Sequence, residues 1–277
     1  MHVISTSDEL HQRLAEETSV SFVPTMGNLH AGHIYLVDLA KQQGQCVVVS
    51  IFVNALQFGA NEDLASYPRT FDADCAKLQL AGADIVFAPT EQEMYPVTQT
   101  VFVEPSVIAH ELCGATRPGH FRGMATVVLK LFNLVQPQVA VFGNKDFQQL
   151  FIIREMVRQL NLPIHIVAGE TMRDSQGLAM SSRNGYLTAA QRQQAPQLYQ
   201  ALQQASTSVI DGKHDYSTIE AQTANYLTQS GWIVDYISLR SALTLAAASD
   251  KDNHLVVLGA ARLGATRLID NIEFRLV

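Results

Sequence analysis

Two familiar nucleotide-binding fingerprints are missing from these 277 residues: there is no GxxxxGK(S/T) loop and no GxGxxG turn. That excludes ordinary P-loop NTPases and dinucleotide dehydrogenases, so any nucleotide must be held by other means. Cysteine is scarce. The three present, Cys46, Cys75 and Cys113, are odd in number and lack paired metal-ligand spacing, which excludes a disulfide framework and suits reduced thiols in a cytosol. Positive charge is also in deficit, with 19 Lys and Arg against 26 Asp and Glu and a net charge of −7. A broad grip on a polyanion is therefore not expected, because nucleic-acid binding draws on phosphate neutralisation. Long apolar runs are absent too: the most apolar stretch, 46–53 (CVVVSIFV), falls far short of the roughly 20 residues a membrane-spanning helix needs. The N-terminal segment is acidic where an export signal would be basic. A soluble, cytoplasmic protein with no membrane partner is the expectation.

What is present, 47% hydrophobic residues in a chain of this length, is enough to bury a large core. Val20 to Thr25 and residues 46–53 are apolar without polar alternation, as strands buried on both faces are. Between them, residues 33–43 carry Ile34, Val37 and Ala40 at helical spacing. The pattern recurs. Phe71, Cys75 and Leu78 mark a helix face, residues 84–89 a strand, and TVFVEP a further exposed strand. Val127, Val128, Leu131, Leu134 and Val135 then form a helical stripe from Met124, ended by Gln136 and Pro137, before the strand VAVFG. A helix opening at Asp146 and a strand over 164–168 complete five or six strands. The spacing predicts an α/β fold, a Rossmann-like doubly wound parallel sheet over residues 1–175, with ligands beyond the strand carboxyl ends. From 176 to 277 a smaller α+β domain follows. Its helices open on the capping boxes Thr188 with Gln191 and Ser217 with Glu220, and its strands are WIVDYISLRS, HLVVLGAAR and TRLIDNIEF. The segment MRDSQGLAMSSRN is the seam.

Four polar clusters sit where strands end. In PTMGNLHAGH, His30 and His33 share one side of a helical start, with Gly32 between them to admit a ligand to the backbone. Such a pair can donate to phosphates; two histidines alone favour helix capping or a metal pair, but the glycine, the strand-loop-helix setting and the other clusters reverse that. In MSSRN, two hydroxyls beside a guanidinium suit phosphate oxygens; the composition is also that of an ordinary surface loop. In GNKDFQQL, Lys145 can neutralise phosphate, Asp146 can accept from a ribose hydroxyl or cap its helix, and Gln149 can enter the cleft one turn later. In FVNALQFG, Asn54 and Gln57 are neutral amides apt for a hydroxylated acid, or a polar turn. Asp72 and Asp74 suit either magnesium or the dipole of their helix. ATRPGHFRG, with Arg117, His120 and Arg122, reads as a plain loop.

Taken in order, TMGNLHAGH, SIFVNALQF, YPRT, RPGHFRG, KLFNLVQP, FGNKDFQQL, LAMSSRNGYLT and RLIDN resemble the pantothenate synthetase (pantoate–β-alanine ligase) family over nearly the whole chain. His-x-Gly-His alone marks only the wider nucleotidyltransferase superfamily; FVNALQF and FGNKDFQQL narrow it. The resemblance implies condensation of pantoate with β-alanine using ATP, through a pantoyl adenylate, with release of AMP and pyrophosphate, by a homodimer. It implies an ATP site of Met26, Gly27, Asn28, Leu29, His30, Ala31, Gly32 and His33, with the two histidines on the phosphates and His33 as the proton donor. Gly143, Asn144, Lys145 and Asp146 join that site, Gly143 and Asp146 at the ribose and Lys145 at the phosphates. Met172 and Met180 lie near the adenine, and Ser181, Ser182 and Arg183 clasp the triphosphate. His33, His30 and Lys145 are the implied catalytic set. Asn54, Gln57 and Gln149 position pantoate, Gln57 also facing the amine, and Asp74 contacts Mg2+. Three departures from the family pattern stand out: Ala55 in place of proline, Asn144 in place of glutamate, and Gln176 in place of an acidic residue.

The implied chemistry suits these residue types. A carboxylate does not expel oxide when an amine attacks, so the acid must first become a mixed anhydride with AMP. Negative charge then builds on phosphoryl oxygens, where imidazole, ammonium and guanidinium groups can stabilise it. A simple nucleotidyltransferase, a class I aminoacyl-tRNA synthetase and a non-catalytic nucleotide sensor are the alternatives.

Overall fold

The computed structural model describes residues 1–60 and 62–276. Contacts divide it into two units: Met1–Asn144 with Gln149–Glu170, and Lys145–Gln148 with Thr171 onward.

The first unit runs β1 (His2–Ile4), α1 (Ser7–Leu14), β2 (Val20–Thr25), α2 (Ala31–Lys41), β3 (Cys46–Ile51), α3 (Phe71–Ala81), β4 (Ile85–Phe87), α4 (Glu91–Met94), α5 (Cys113–Thr116), α6 (His120–Val135), β5 (Val139–Gly143), α7 (Phe147–Gln159, all but its first two residues) and β6 (His165–Gly169). Its six strands form one parallel sheet in the order β1-β4-β3-β2-β5-β6. The apolar runs of β2 and β3 are almost wholly buried, as parallel strands covered on both faces require. Burial also pushes the Cys46 thiol up to about 11, so it stays protonated. Strand order reverses between β2 and β5, the position where doubly wound sheets open a ligand crevice. Here β2 pairs with β3 along its whole length but with β5 only at Ser21 and Phe22. Pro24 lies beyond the last β5 pair, where its missing N–H costs no ladder bond.

In the second unit α8 (Ala189–Gln194), α9 (Gln197–Ile210) and α10 (Tyr216–Gln229) precede an antiparallel sheet, β7 (Ile233–Ser241), β8 (His254–Leu263) and β9 (Thr266–Arg275), in that order. Its core gathers Leu198, Leu202, Trp232, Leu255 and Val257. Close packing at Gly259 explains the missing side chain, since a Cβ there would lie 3.1 Å from both Leu202 and Ile237. The buried Trp232 indole donates to Gln197 Oε1 at 2.9 Å.

The structure differs from the sequence expectation in several places. Residues 100–105 (TVFVEP) form no strand; Val103 N–H instead donates to the Thr126 hydroxyl at 3.0 Å. α6 begins at His120 rather than Met124, after a left-handed Gly119. A 3-10 turn over Asn144–Asp146 precedes α7. At α10 the cap is Asp215, which accepts from Thr218 N–H, while the Glu220 side chain turns away from the cap to accept from Leu239 N–H at 2.6 Å. An ionised cap at the positive helix end outcompetes the expected Ser217 box. Finally, residues 171–175 group with the second unit, because Arg173 pairs there with Ala179 and Asp270.

Candidate active site

The turn after β2 is built around a buried carboxylate. Gly27 and Asn28 take φ of 81° and 50°, a left-handed path that glycine and asparagine tolerate best. Asp74, on α3 and fully buried, accepts from Asn28 N–H and Leu29 N–H at 2.8 Å each, and from the Thr70 hydroxyl at 3.0 Å. Lys77 donates to Leu29 O at 2.6 Å. Little room remains: a Cβ on Gly27 would lie 3.2 Å from Asp74 Oδ2.

His30 then caps α2. Its Nδ1 accepts from Gly32 N–H at 3.1 Å, and His33 Nδ1 accepts from His30 N–H at 3.3 Å, a capping box made of two imidazoles. The rings lie 4.1 Å apart, tilted by 35°. An Nδ1 that accepts a backbone N–H carries no proton, so each neutral ring holds its proton on Nε2. Both rings are thus fixed as Nε2–H donors at a helix start that already favours anions. The capping reading and the phosphate reading are compatible here, because different nitrogens serve each.

Beyond β3, Asn54 precedes a 3-10 turn that Gln57 ends, and both are buried. Asn54 Nδ2 donates to Gln57 Oε1 at 3.1 Å and to Gly123 O at 3.2 Å, and its Oδ1 accepts from the Tyr95 hydroxyl at 2.7 Å. Burial raises the Tyr95 phenol further above its ordinary range, which keeps it a neutral donor. Gln57 Nε2 reaches Met26 Sδ at 3.3 Å, tying this turn to the histidine turn. Behind it, Glu62 accepts both arms of Arg117 at 2.8 and 2.6 Å, and Arg117 Nη1 lies 3.0 Å from His120 Nε2. Arginine can only donate, so Nε2 accepts and Nδ1–H donates to Gln57 O at 2.8 Å. α6 approaches so closely that a Cβ on Gly123 would fall 2.1 Å from Leu56 O. Gly123→Ala should therefore displace the 54–57 turn and destabilise the fold by at least about 1–3 kcal/mol, checked by urea unfolding. An alanine variant as stable as the parent would mean the turn yields freely.

The second unit carries its own polar group. Lys145 O accepts from Asn271 Nδ2 at 2.8 Å. A tight hairpin brings Met180 N–H to Met172 O at 2.9 Å, with Asp174 Oδ1 accepting from Gln176 N–H and Leu178 N–H. Only the backbone of Gln176 takes part in that bond, so the loss of an acidic side chain there does not remove it. Ser181 caps the short 3-10 turn Ser182–Tyr186, accepting from Arg183 N–H at 3.2 Å, and the buried Asn184 ties that turn to Ala179 O at 3.0 Å.

Residues 2–273 match the family described as Pantoate-beta-alanine ligase. The chain belongs to that family. Among relatives, a pantothenate synthetase from Methylobacillus flagellatus is 65% identical over 274 residues, covering 99% of each chain. Among solved structures, the pantothenate synthetase from Thermus thermophilus aligns with a TM-score of 0.93 at 43% identity, covering 98% of this chain and 99% of that one. A pantoate-beta-alanine ligase from Francisella tularensis, in complex with beta-gamma ATP and beta-alanine, aligns with a TM-score of 0.84 at 33% identity, covering 98% of this chain and 97% of that one.

Within the ligase fold, the residues expected at the ATP site fall into two groups. Met26 through His33, with Gly143 and Asn144, belong to the first unit; Lys145, Asp146, Met172, Met180, Ser181, Ser182 and Arg183 belong to the second. Asn54 and Gln57 share one hydrogen-bonded turn, and Gln149 lies half-buried in α7. Among the described residues no three His, Cys, Asp or Glu side chains gather as a metal site. Asp74 is taken up by backbone donors, which is not the arrangement of a magnesium cage. Sequence reasoning missed Tyr95, Glu62, Arg117, His120, Asp270 and Asn271. The last two lay in plain view in RLIDN, and Arg117 and His120 in ATRPGHFRG, but nothing in their spacing reveals which partners they hold.

Proposed function

We propose that the chain is an ATP-dependent ligase joining pantoate to β-alanine through a pantoyl adenylate, with AMP and pyrophosphate released. The observation that carries this reading is the Gln57 to Met26 contact, which places a neutral amide turn directly against a turn armed with two Nε2–H donors. An acid oriented by Asn54, Gln57 and Gln149 would lie beside the phosphates it must attack. As the α-phosphate is attacked, His30 and His33 would donate Nε2–H hydrogen bonds to the phosphoryl oxygens, with the His33 N–H directed at the departing pyrophosphate. Lys145 and the 181–183 segment would add positive charge and hydroxyl donors from the second unit, Gly143 and Asp146 would hold the ribose, and Asn144 would line the same ATP site. Met172 and Met180 would offer the adenine an apolar contact. Magnesium would enter with the triphosphate as part of the substrate. Asp74 then acts by holding the 26–30 loop rather than as a ligand.

The first unit would bind ATP and pantoate, and the second, from Thr171 onward, would act as the lid domain that keeps water from the adenylate. Bacterial biosynthetic relatives support a cytoplasmic enzyme, and the family pattern a homodimer. Among the described residues no helix is long and apolar enough to cross a membrane.

The test is isotope exchange between pyrophosphate and ATP. Exchange is expected to require pantoate and to proceed without β-alanine. Exchange indifferent to pantoate would reject the acid assignment. Nucleotide retained in the final product, with no free AMP, would indicate a simple nucleotidyltransferase instead.

A further inference from the structure

Burial along β9 alternates until Asp270 and Asn271, two consecutive residues that are both buried and both polar. Neighbouring side chains on a strand face opposite ways, so one strand can hold two separate segments through such a pair. That is what happens here. Asp270 accepts both arms of Arg173, at 2.6 and 2.8 Å, and the Arg173 guanidinium also lies 3.5 Å from the Tyr199 ring centre and donates to Gly177 O at 3.2 Å. The 172–180 hairpin is thereby pinned to β9, and Asn184 carries the constraint into the turn that begins with Ser182. Asn271, on the opposite face, holds the carbonyl of Lys145 at 2.8 Å.

Neither contact belongs to the sheet's own ladder, and the unit already has a large apolar core. A buried ion pair gives little net stability compared with apolar residues of the same shape, so stability alone does not call for one here. What Asp270 and Asn271 do provide is a fixed spacing between two segments that both carry phosphate-directed groups. We infer that Asp270 and Asn271 are positioning residues, setting Lys145 and the 181–183 segment for ATP from one strand. This rests on the ligase reading given above.

The experiment is a double-mutant cycle on the full chain, read by pantoate-dependent pyrophosphate exchange. Asn271→Ala is expected to lower kcat/KM for ATP about tenfold, the upper range for one lost hydrogen bond, and to leave KM for pantoate unchanged. In a Lys145→Ala background the same substitution should cost nothing further, because its effect passes through Lys145. Arg173→Lys, which keeps the charge but loses the fork, should give an equally ATP-specific loss. Losses that add in the cycle, or that merely track the folded fraction with KM for ATP unmoved, would overturn the inference. Asn271→Ser supplies the same readings if the alanine variant does not fold. Parent enzyme with no exchange at all would refute the ligase reading; parent exchange with unshifted variants would refute only the positioning role.

Discussion

Asp74→Ala is expected to unfold at a Tm roughly 10 °C below the parent and to lose nearly all exchange activity. The carboxylate is fully buried and serves two backbone amides of the 26–30 loop and the Thr70 hydroxyl. Each buried N–H left without an acceptor costs about 1–3 kcal/mol, and the Lys77 ammonium 3.8 Å from Asp74 Oδ1 loses its counter-charge as well. A total near 3–5 kcal/mol, at about 2–4 °C per kcal/mol for a chain of this size, gives the expected shift. Activity falls for a separate reason: Asn28 and Leu29 lead directly into His30, so freeing them frees the cap. Asp74→Asn should lie between the two, since one amide keeps an oxygen while the other meets an NH2 group. Urea and thermal unfolding, with exchange at saturating magnesium, decide the matter. A stable alanine variant rescued by extra magnesium would return Asp74 to the metal.

The sheet was legible because its central strands must be buried on both faces, and runs such as CVVVSI and VAVFG have no other comfortable environment. The edge strand β1 was not legible, for it has only three residues and one of them, Ile4, is buried. Likewise the first unit's polar turns could be found by position, at the ends of β2 and β3, whereas their supports could not. Asp74 lies 45 residues from Leu29 in sequence, and His120 lies 63 from Gln57. No local spacing encodes a carboxylate that reaches a distant loop. The capping box at Thr188 with Gln191 was readable because both partners lie within one turn. The Ser217 and Glu220 pair fits the same rule and fails, since Asp215 competes for the cap and Leu239 N–H competes for the glutamate.

The histidine box permits a substitution that separates capping from chemistry. Glutamine at the third helical position is an ordinary capping-box residue, able to accept from the cap's own N–H. In His33→Gln, therefore, the bond now made by His33 Nδ1 to His30 N–H can be kept by a side-chain oxygen, and Tm should stay close to the parent's. The imidazole Nε2–H, however, is gone. Donors aimed at charge that develops in a transition state are worth about 10²–10³ in kcat, so turnover should fall by that factor while ATP binding largely persists. His33→Ala should show the same loss of turnover together with about 1 kcal/mol less stability, because it removes the cap bond too. Steady-state kinetics alongside thermal melts of both variants separate the two roles. If the glutamine variant turned over like the parent, the imidazole would be serving the helix alone, and the proton donor would have to be sought elsewhere in the site.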